Sequence, residues 1–484
     1  MSLVAATLAA APARAAVHGV RIDGDRITLT ARNTPLQDLM ADFVHAGVSV
    51  RIDPDLNPRV TGRVVDAPVE ATLEELLAPY GYTLTWSILR GPLGDLPRLQ
   101  EIQVFRRDGP RRLEPFQPEP NFRIARGPLP GDPEFVADEI LIAFKPGTNI
   151  DQFRLLLAQI GGTVIESSPS LGLYRVRLPP NSNVLAIVEL LKAQGIVSRV
   201  EPNYAYRLPA PGAAADNTPA TTTTAPTAPR TGVPPVAVLD SGVLPLAPLS
   251  GLIAGAYDAI QPERSVADEK GHGTQMALIA SGAIPPGGVA SDAEGVPVLA
   301  IRTFDDNGYT SNFTLMRAID YAAAEGAKVV NMSWGSPTSS SFLDSAMREA
   351  QRQGMVVVAS AGNEPTGRPV YPAAYPGVIS VSALQADGSP WPQSNHGSTV
   401  TIAAPGTAQF PVGHEGPPGG YAGTSIASAY VARNLALYLG ENPTATAQQA
   451  AQALQRAASP PPTAAVTYGR GTLDAAATTR LLGR

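Results

Sequence analysis

Beyond Val233 the chain breaks into short runs of uninterrupted apolar residues: Val236 to Leu239, Val296 to Ile301, Val329 to Met332, Met355 to Ala359 and Val378 to Val381. A run that is apolar at every position has no solvent side, so each predicts a strand buried on both faces. Helical periodicity near Thr314 to Ala324 and Phe342 to Arg352 supplies the cover. The combination predicts an α/β domain of three layers, a parallel sheet between helices. In such sheets functional groups gather at the carboxyl ends of strands, where Asp240 and Asn363 fall.

At 484 residues the chain exceeds one ordinary core, so further domains are expected ahead of this one. Residues 23 to 106 alternate strand-like and helix-like patterns. Ile-Thr-Leu-Thr-Ala-Arg is followed by the helical stripe Leu36, Leu39, Met40 and Phe43; strands are read at Val48 to Asp53 and Val60 to Val65, and a second stripe is Leu73, Leu76, Leu77 and Tyr80. This predicts a small α+β domain over 17–108. Its layout and the run Asp53-Pro-Asp-Leu-Asn-Pro resemble the short N-terminal domain shared by secretins and TonB-dependent signal transducers, which implies a docking partner in a cell envelope. A plain βαββαβ domain shows the same periodicities.

Residues 109–136 carry Pro, Arg and Gly without a period and are read as a linker. A second small α+β domain is expected over 137–207: strand Ile140 to Phe144, a helix with Phe153, Leu156, Leu157 and Ile160, strands near Thr163 and Tyr174, and a helix with Ile187, Leu190 and Leu191. It closes on Val-Glu-Pro-Asn-Tyr. This order resembles the inhibitory propeptide of subtilisin-like proteases. Residues 208–232 are almost wholly Ala, Pro and Thr, a composition that buries no core and predicts an extended tether.

Three separated segments carry the chemistry. Val-Ala-Val-Leu-Asp240-Ser-Gly, Gly-His272-Gly-Thr and Gly-Thr-Ser425-Ile-Ala-Ser place a carboxylate, an imidazole and a hydroxyl in the order Asp, His, Ser. That is one of the known orders of a nucleophilic triad. A serine hydroxyl is a weak nucleophile at neutral pH and needs a base to accept its proton, for which His272 is the candidate. The imidazolium that forms needs a carboxylate on its other nitrogen, the part expected of Asp240. A lone Asp at a strand end is usually a cap, a lone His a surface or core residue, and a lone Gly-Thr-Ser a loop; together they point to a hydrolase.

These segments, with Ser360-Ala-Gly-Asn363-Glu, Asn331-Met-Ser-Trp-Gly335 and Tyr468-Gly-Arg-Gly-Thr-Leu-Asp-Ala-Ala, resemble the catalytic domain of subtilases, the subtilisin-like serine proteases, over 233–484. The resemblance implies a serine endopeptidase made as an autoinhibited precursor. It also implies that the Asn363 amide and the Ser425 backbone N–H receive the developing oxyanion, although an Asn in an Ala-Gly-Asn turn is otherwise a turn former. Ser333, Trp334 and Gly335 are expected to flank an extended substrate peptide, which would bind by strand addition. Ser360, Ala361 and Gly362 are expected to wall the pocket for the side chain before the scissile bond. Trp334 is equally consistent with an ordinary packed aromatic. Val370 stands at the pocket floor where many relatives have Gly, which predicts a shallow pocket and a preference for small residues.

Other features restrict the reading. A formal net charge of −6 suggests neither nucleic acid nor an anionic membrane as partner, and the absence of Cys excludes disulfides and thiolate chemistry. Residues 1–16 form an apolar run ending in Ala13-Arg14-Ala15, the small-x-small form of a secretory cleavage site without the usual basic start, so a secreted or periplasmic location is expected. No later stretch is long enough to span a bilayer. Ser281-Gly-Ala-Ile-Pro-Pro-Gly-Gly lacks the carboxylates of a calcium loop, and the clusters at Asp305-Asp306-Asn307 and Asp292-Ala-Glu294 read as turn and solvated loop; no metal or cofactor is expected. Two departures from the subtilase pattern, Gln275-Met276 after the histidine motif and Ala429-Tyr430 after the serine motif, predict altered packing. A catalytically silent scaffold of the same fold is the alternative; a carboxyl-type relative is contradicted by His272 and Asn363.

Overall fold

The structure is a computed structural model that describes residues 18–107, 113–116, 121–210, 212, 226–262, 264–461 and 468–484. The signal-like run 1–16 lies outside the described residues, as do parts of the 109–136 linker and most of the 208–232 tether. By its contacts the chain divides into two units, one of residues 1–123 and 137–202, the other of residues 124–136 and 203–484. Both small α+β regions therefore fall in the first unit, apart from the closing residues 203–207 of the second region.

In that unit the two apolar stripes fold as helices Leu36–His45 and Val69–Leu77, and Leu36, Leu39, Met40, Phe43, Leu73 and Leu77 are buried. Tyr80 lies past the second helix, in a turn closed by its N–H on the Leu77 carbonyl. Both helices share a core with Ile27, Leu29, Val50, Ile102 and Val104. The antiparallel hairpin of Gly81–Gly91 with Gly94–Phe105 completes it. Tyr82, Leu84 and Trp86 alternate along its first strand and pack on that core.

The second α+β region carries helices Ile150–Ile160 and Val184–Lys192. Asn149 and Gln152 form a reciprocal capping box that fixes where the first of these begins. Its strands are Glu134–Phe144, Thr163–Ser168, Leu173–Arg177 and Val197–Arg207. The first starts at Glu134, ahead of the expected Ile140, because Ile124–Arg126 from the Pro-rich stretch pairs antiparallel with it. Sequence periodicity does not register a strand of three residues.

The second unit holds a seven-stranded sheet in the order Ile253–Asp258, Val298–Arg302, Val236–Asp240, Val329–Met332, Val356–Ser360, Ile379–Leu384, Ile402–Pro405. Every pairing in it is parallel. Helix Thr424–Glu441 is buried without interruption from Thr424 to Leu437, so it forms part of the core instead of covering it. Its small residues Ala427, Ala429, Ala432 and Ala436 suit a helix enclosed on all sides. Asp240 ends a strand near the middle of the sheet, His272 opens the helix His272–Ser281, and Ser425 lies in the first turn of the central helix.

Candidate active site

His272 Nδ1 lies 2.7 Å from Asp240 Oδ1, with both side chains buried. The same carboxylate oxygen accepts the Ser241 N–H at 2.8 Å, so the carboxylate is held before it orients the imidazole. Asp268, buried beneath, fixes the start of the histidine helix. Its Oδ1 accepts from Ser241 Oγ and the Lys270 and Gly271 N–H groups; its Oδ2 accepts the N–H and hydroxyl of Thr274. Gly271 caps this helix at φ +78, and a β-carbon there would run into the Gly413 carbonyl.

Ser425 shares a cleft with His272 and Asn363. Its hydroxyl donates to the Ser333 carbonyl at 3.0 Å, so in this state the proton is directed away from the imidazole. Ser333 is buried: its hydroxyl accepts from the Asn331 amide at 2.7 Å and lies 3.3 Å from the Ser425 carbonyl. Asn363 is oriented by its neighbour. Its Oδ1 accepts the Thr424 N–H at 3.1 Å and the Thr424 hydroxyl at 2.8 Å, which leaves the amide NH₂ as the donor. A β-carbon on Gly423 would sit 3.5 Å from that Nδ2, in ordinary van der Waals contact with it.

The expected pocket walls converge on Val370. Its Cγ1 occupies the space that a β-carbon on Gly335 would need, and its Cγ2 lies 3.4 Å from where one on Gly362 would be. Ser360 and Ala361 are buried in the wall, with the Ala361 N–H on the Val381 carbonyl at 2.9 Å. Asn395, not singled out from sequence, ties the wall together: its Nδ2 donates to the Ala361 and Arg368 carbonyls, and its Oδ1 accepts the Gly367 N–H. Trp334 is 1 % exposed, packed against Tyr206 and Phe304.

Residues of the expected tether occupy the cleft. Ala205–Arg207 pair antiparallel with Tyr309–Ser311, and the Leu208 N–H donates to the Gly308 carbonyl at 2.9 Å. Pro209, Ala210 and Gly212 then line the cavity of His272, Asn363 and Ser425, and the Gly212 carbonyl accepts the Ala422 N–H at 3.1 Å. The other end is also held, by the Arg230 N–H on the Gly295 carbonyl and by Arg230 ion pairs to Glu294 and Glu441. Backbone groups and one arginine make these contacts, so composition alone did not reveal them.

One further side chain was missed. His414 is 3 % exposed, its ring centroid 4.6 Å from that of His272. Burial, then the neighbouring His272 and Lys270, push its pKa down to about 2, so it stays neutral. The acidic clusters are engaged within the protein: Asp305 Oδ1 accepts the Asn307 and Tyr309 N–H groups, Asp306 pairs with Arg302, and Asp292 pairs with Arg433.

Residues 234–476 match the profile of the subtilase family, and residues 127–203 that of the fervidolysin N-terminal prodomain. Thermitase of Thermoactinomyces vulgaris is 34 % identical over 41 % of this chain and 71 % of its own length. The thermophilic serine proteinase of Bacillus sp. strain AK1 is 30 % identical over 63 % of this chain and 78 % of its own. The minor extracellular protease Epr of Bacillus subtilis strain 168 is 38 % identical over 36 % of this chain, a match that spans only 26 % of Epr. Among solved structures, fervidolysin from Fervidobacterium pennivorans, described as a keratinolytic enzyme related to subtilisin, has a TM-score of 0.60 at 23 % identity. That superposition covers 75 % of this chain and 63 % of fervidolysin, and shows likeness of fold.

Proposed function

The chain belongs to the subtilase family and is a subtilisin-like serine endopeptidase made with a propeptide; we propose that Asp240, His272, Ser425 and Asn363 carry its hydrolysis of peptide bonds. The observation that supports this most directly is the 2.7 Å contact of His272 with Asp240 in a cleft shared with Ser425 and Asn363. Ser425 turns its hydroxyl from the Ser333 carbonyl toward His272 and attacks the scissile carbonyl carbon while the free imidazole nitrogen takes its proton. The carbonyl electrons move to oxygen, where the Asn363 amide and the Ser425 N–H receive the charge beside a helix N-terminus. The imidazolium gives its proton to the departing amine, and water repeats the sequence on the acyl-enzyme.

In this reading the 137–207 region is the inhibitory propeptide and Leu208, Pro209, Ala210 and Gly212 are its occupant of the cleft, with maturation by cleavage in 208–232. The strand pairing of Ala205–Arg207, just ahead of them, with Tyr309–Ser311 is the strand addition expected of a substrate. Ser333, Trp334 and Gly335 line the substrate path, and Ser360, Ala361, Gly362 and Val370 form a shallow pocket for a small residue. The product is secreted or periplasmic; the Ala13-Arg14-Ala15 pattern supports export. The extracellular protease named among the relatives supports it too. No helix among the described residues is long and apolar enough to cross a membrane. The N-terminal region over 17–108 is a docking module for an envelope protein, as its resemblance to secretin and transducer domains suggests.

Covalent labelling by a fluorophosphonate tests the reading. Labelling of the wild type that is lost in Ser425→Ala is expected, and the intact mass of Ser425→Ala should stay full-length while the wild type shortens. Equal labelling of both would remove Ser425 from the mechanism, and labelling of neither would favour the silent scaffold.

A further inference from the structure

His414 borders the cleft, and no step of the hydrolytic scheme uses it. It lies in the turn of an antiparallel hairpin whose strands are Thr407–Phe410 and Gly419–Ala422. The turn is braced: the His414 N–H donates to Tyr421 Oη at 3.1 Å, and Tyr421 Oη donates to the Pro417 carbonyl at 2.7 Å. Gln275 holds the same turn through the Val412 carbonyl at 2.9 Å. The imidazole Nε2 is buried with no hydrogen-bond partner among the described residues, and the ring lines the same cavity as His272 and Ser425. Buried polar atoms are rarely left unpaired, so one beside a substrate cleft marks a place for a ligand atom.

Among the described residues the occupant of the cleft does not supply that atom. Pro209, Ala210 and Gly212 have no polar atom in any side chain. Its course also shows which part of a substrate His414 would meet. The segment enters along Gly308 to Ser311 and leaves past Ala422, on the hairpin that carries His414. Residues after the scissile bond, on the leaving-group side, therefore pass the imidazole.

Resting on the endopeptidase reading, we propose that His414 is a specificity-determining residue that hydrogen-bonds a hydroxyl or carboxamide side chain immediately after the scissile bond. A neutral imidazole has one donor and one acceptor nitrogen, and hydroxyls and carboxamides complement either. A basic substrate side chain would instead meet Lys270 and the His272 imidazolium formed during attack.

The test uses quenched peptides that differ only in the first or second residue after the bond, as near-isosteric pairs: Thr against Val, Asn against Leu. Each pair is read as a kcat/KM ratio within one enzyme, which cancels differences in active fraction. The wild-type protein should favour the polar member by roughly 3- to 10-fold, the range of one net hydrogen bond. In His414→Phe the ratio should fall to about one. His414→Met serves the same comparison if the aromatic replacement does not fold. Cleavage with the same ratio in wild type and variant overturns the inference and leaves the endopeptidase reading standing. Failure of the wild type to cleave any peptide overturns both.

Discussion

The ring of Tyr206 lies against that of Trp334, centroids 5.1 Å apart, while its hydroxyl donates to Asn312 Oδ1 at 2.7 Å. Trp334 is thus covered by a residue of the very segment that leads into the cleft. Removing the tyrosine ring forfeits about 1.5–3 kcal/mol of burial, so occupancy of the cleft by that segment should weaken roughly 10- to 100-fold. Freshly folded Tyr206→Ala should therefore react with a fluorophosphonate sooner than the wild type. Equal labelling rates would mean that the tyrosine contributes nothing to latency.

Val370 fills the space beside Gly335 and Gly362, at the floor of the proposed pocket. Val370→Gly should deepen the pocket and raise the kcat/KM ratio of a Phe over an Ala substrate by about 10-fold or more, the scale of one to three buried methylenes. Peptides with Phe, Leu, Ala and Gly before the scissile bond measure this. A wild-type preference for Phe would contradict the shallow pocket.

Thr424 holds Asn363 by two hydrogen bonds to Oδ1, one from its backbone and one from its hydroxyl. Thr424→Val removes the second and leaves the amide present but less firmly aimed. Deleting such an amide altogether in a related enzyme costs about 10² to 10³ in kcat, so a loss of about 10-fold with little change in KM is expected here. Thr424→Ser should restore the rate. A fall confined to KM would place the hydroxyl in substrate binding instead.

What the sequence disclosed was local in origin. Asp240, His272 and Ser425 each sit where an apolar strand ends or a helix begins, and those transitions show in a few consecutive residues. The helical stripes at Leu36 and Phe153 were equally plain, since a 3.6-residue period needs no partner to be seen. His414 was not, because its turn has no period and its importance comes from an approach across 142 positions of sequence to His272. Asn395 was hidden for the same reason, holding backbone carbonyls of another loop, at Ala361 and Arg368. The tether composition pointed to an extended segment that buries no core, while backbone pairing and the Arg230 ion pairs hold both its ends; neither signal resides in hydropathy.

Acid should act on this fold through His414. Its folded pKa of about 2 lies far below the ordinary 6.5, chiefly because burial disfavours the charged ring, with His272 and Lys270 adding repulsion. The other charges nearby are Asp240, paired with His272, and Glu415, paired with Lys270. Above pH 6.5 the ring is neutral in both folded and unfolded chains and has no effect. Below it the unfolded chain binds a proton that the folded chain refuses, so stability falls with pH by about 1.4 kcal/mol per unit from this group, down toward pH 2. Full-length protein in the Ser425→Ala background, unfolded in urea from pH 7 to 5, should lose stability faster than its His414→Phe counterpart by that one-proton slope. Parallel pH dependences in the two proteins would show that the imidazole either accepts its proton in the folded state or is not buried there.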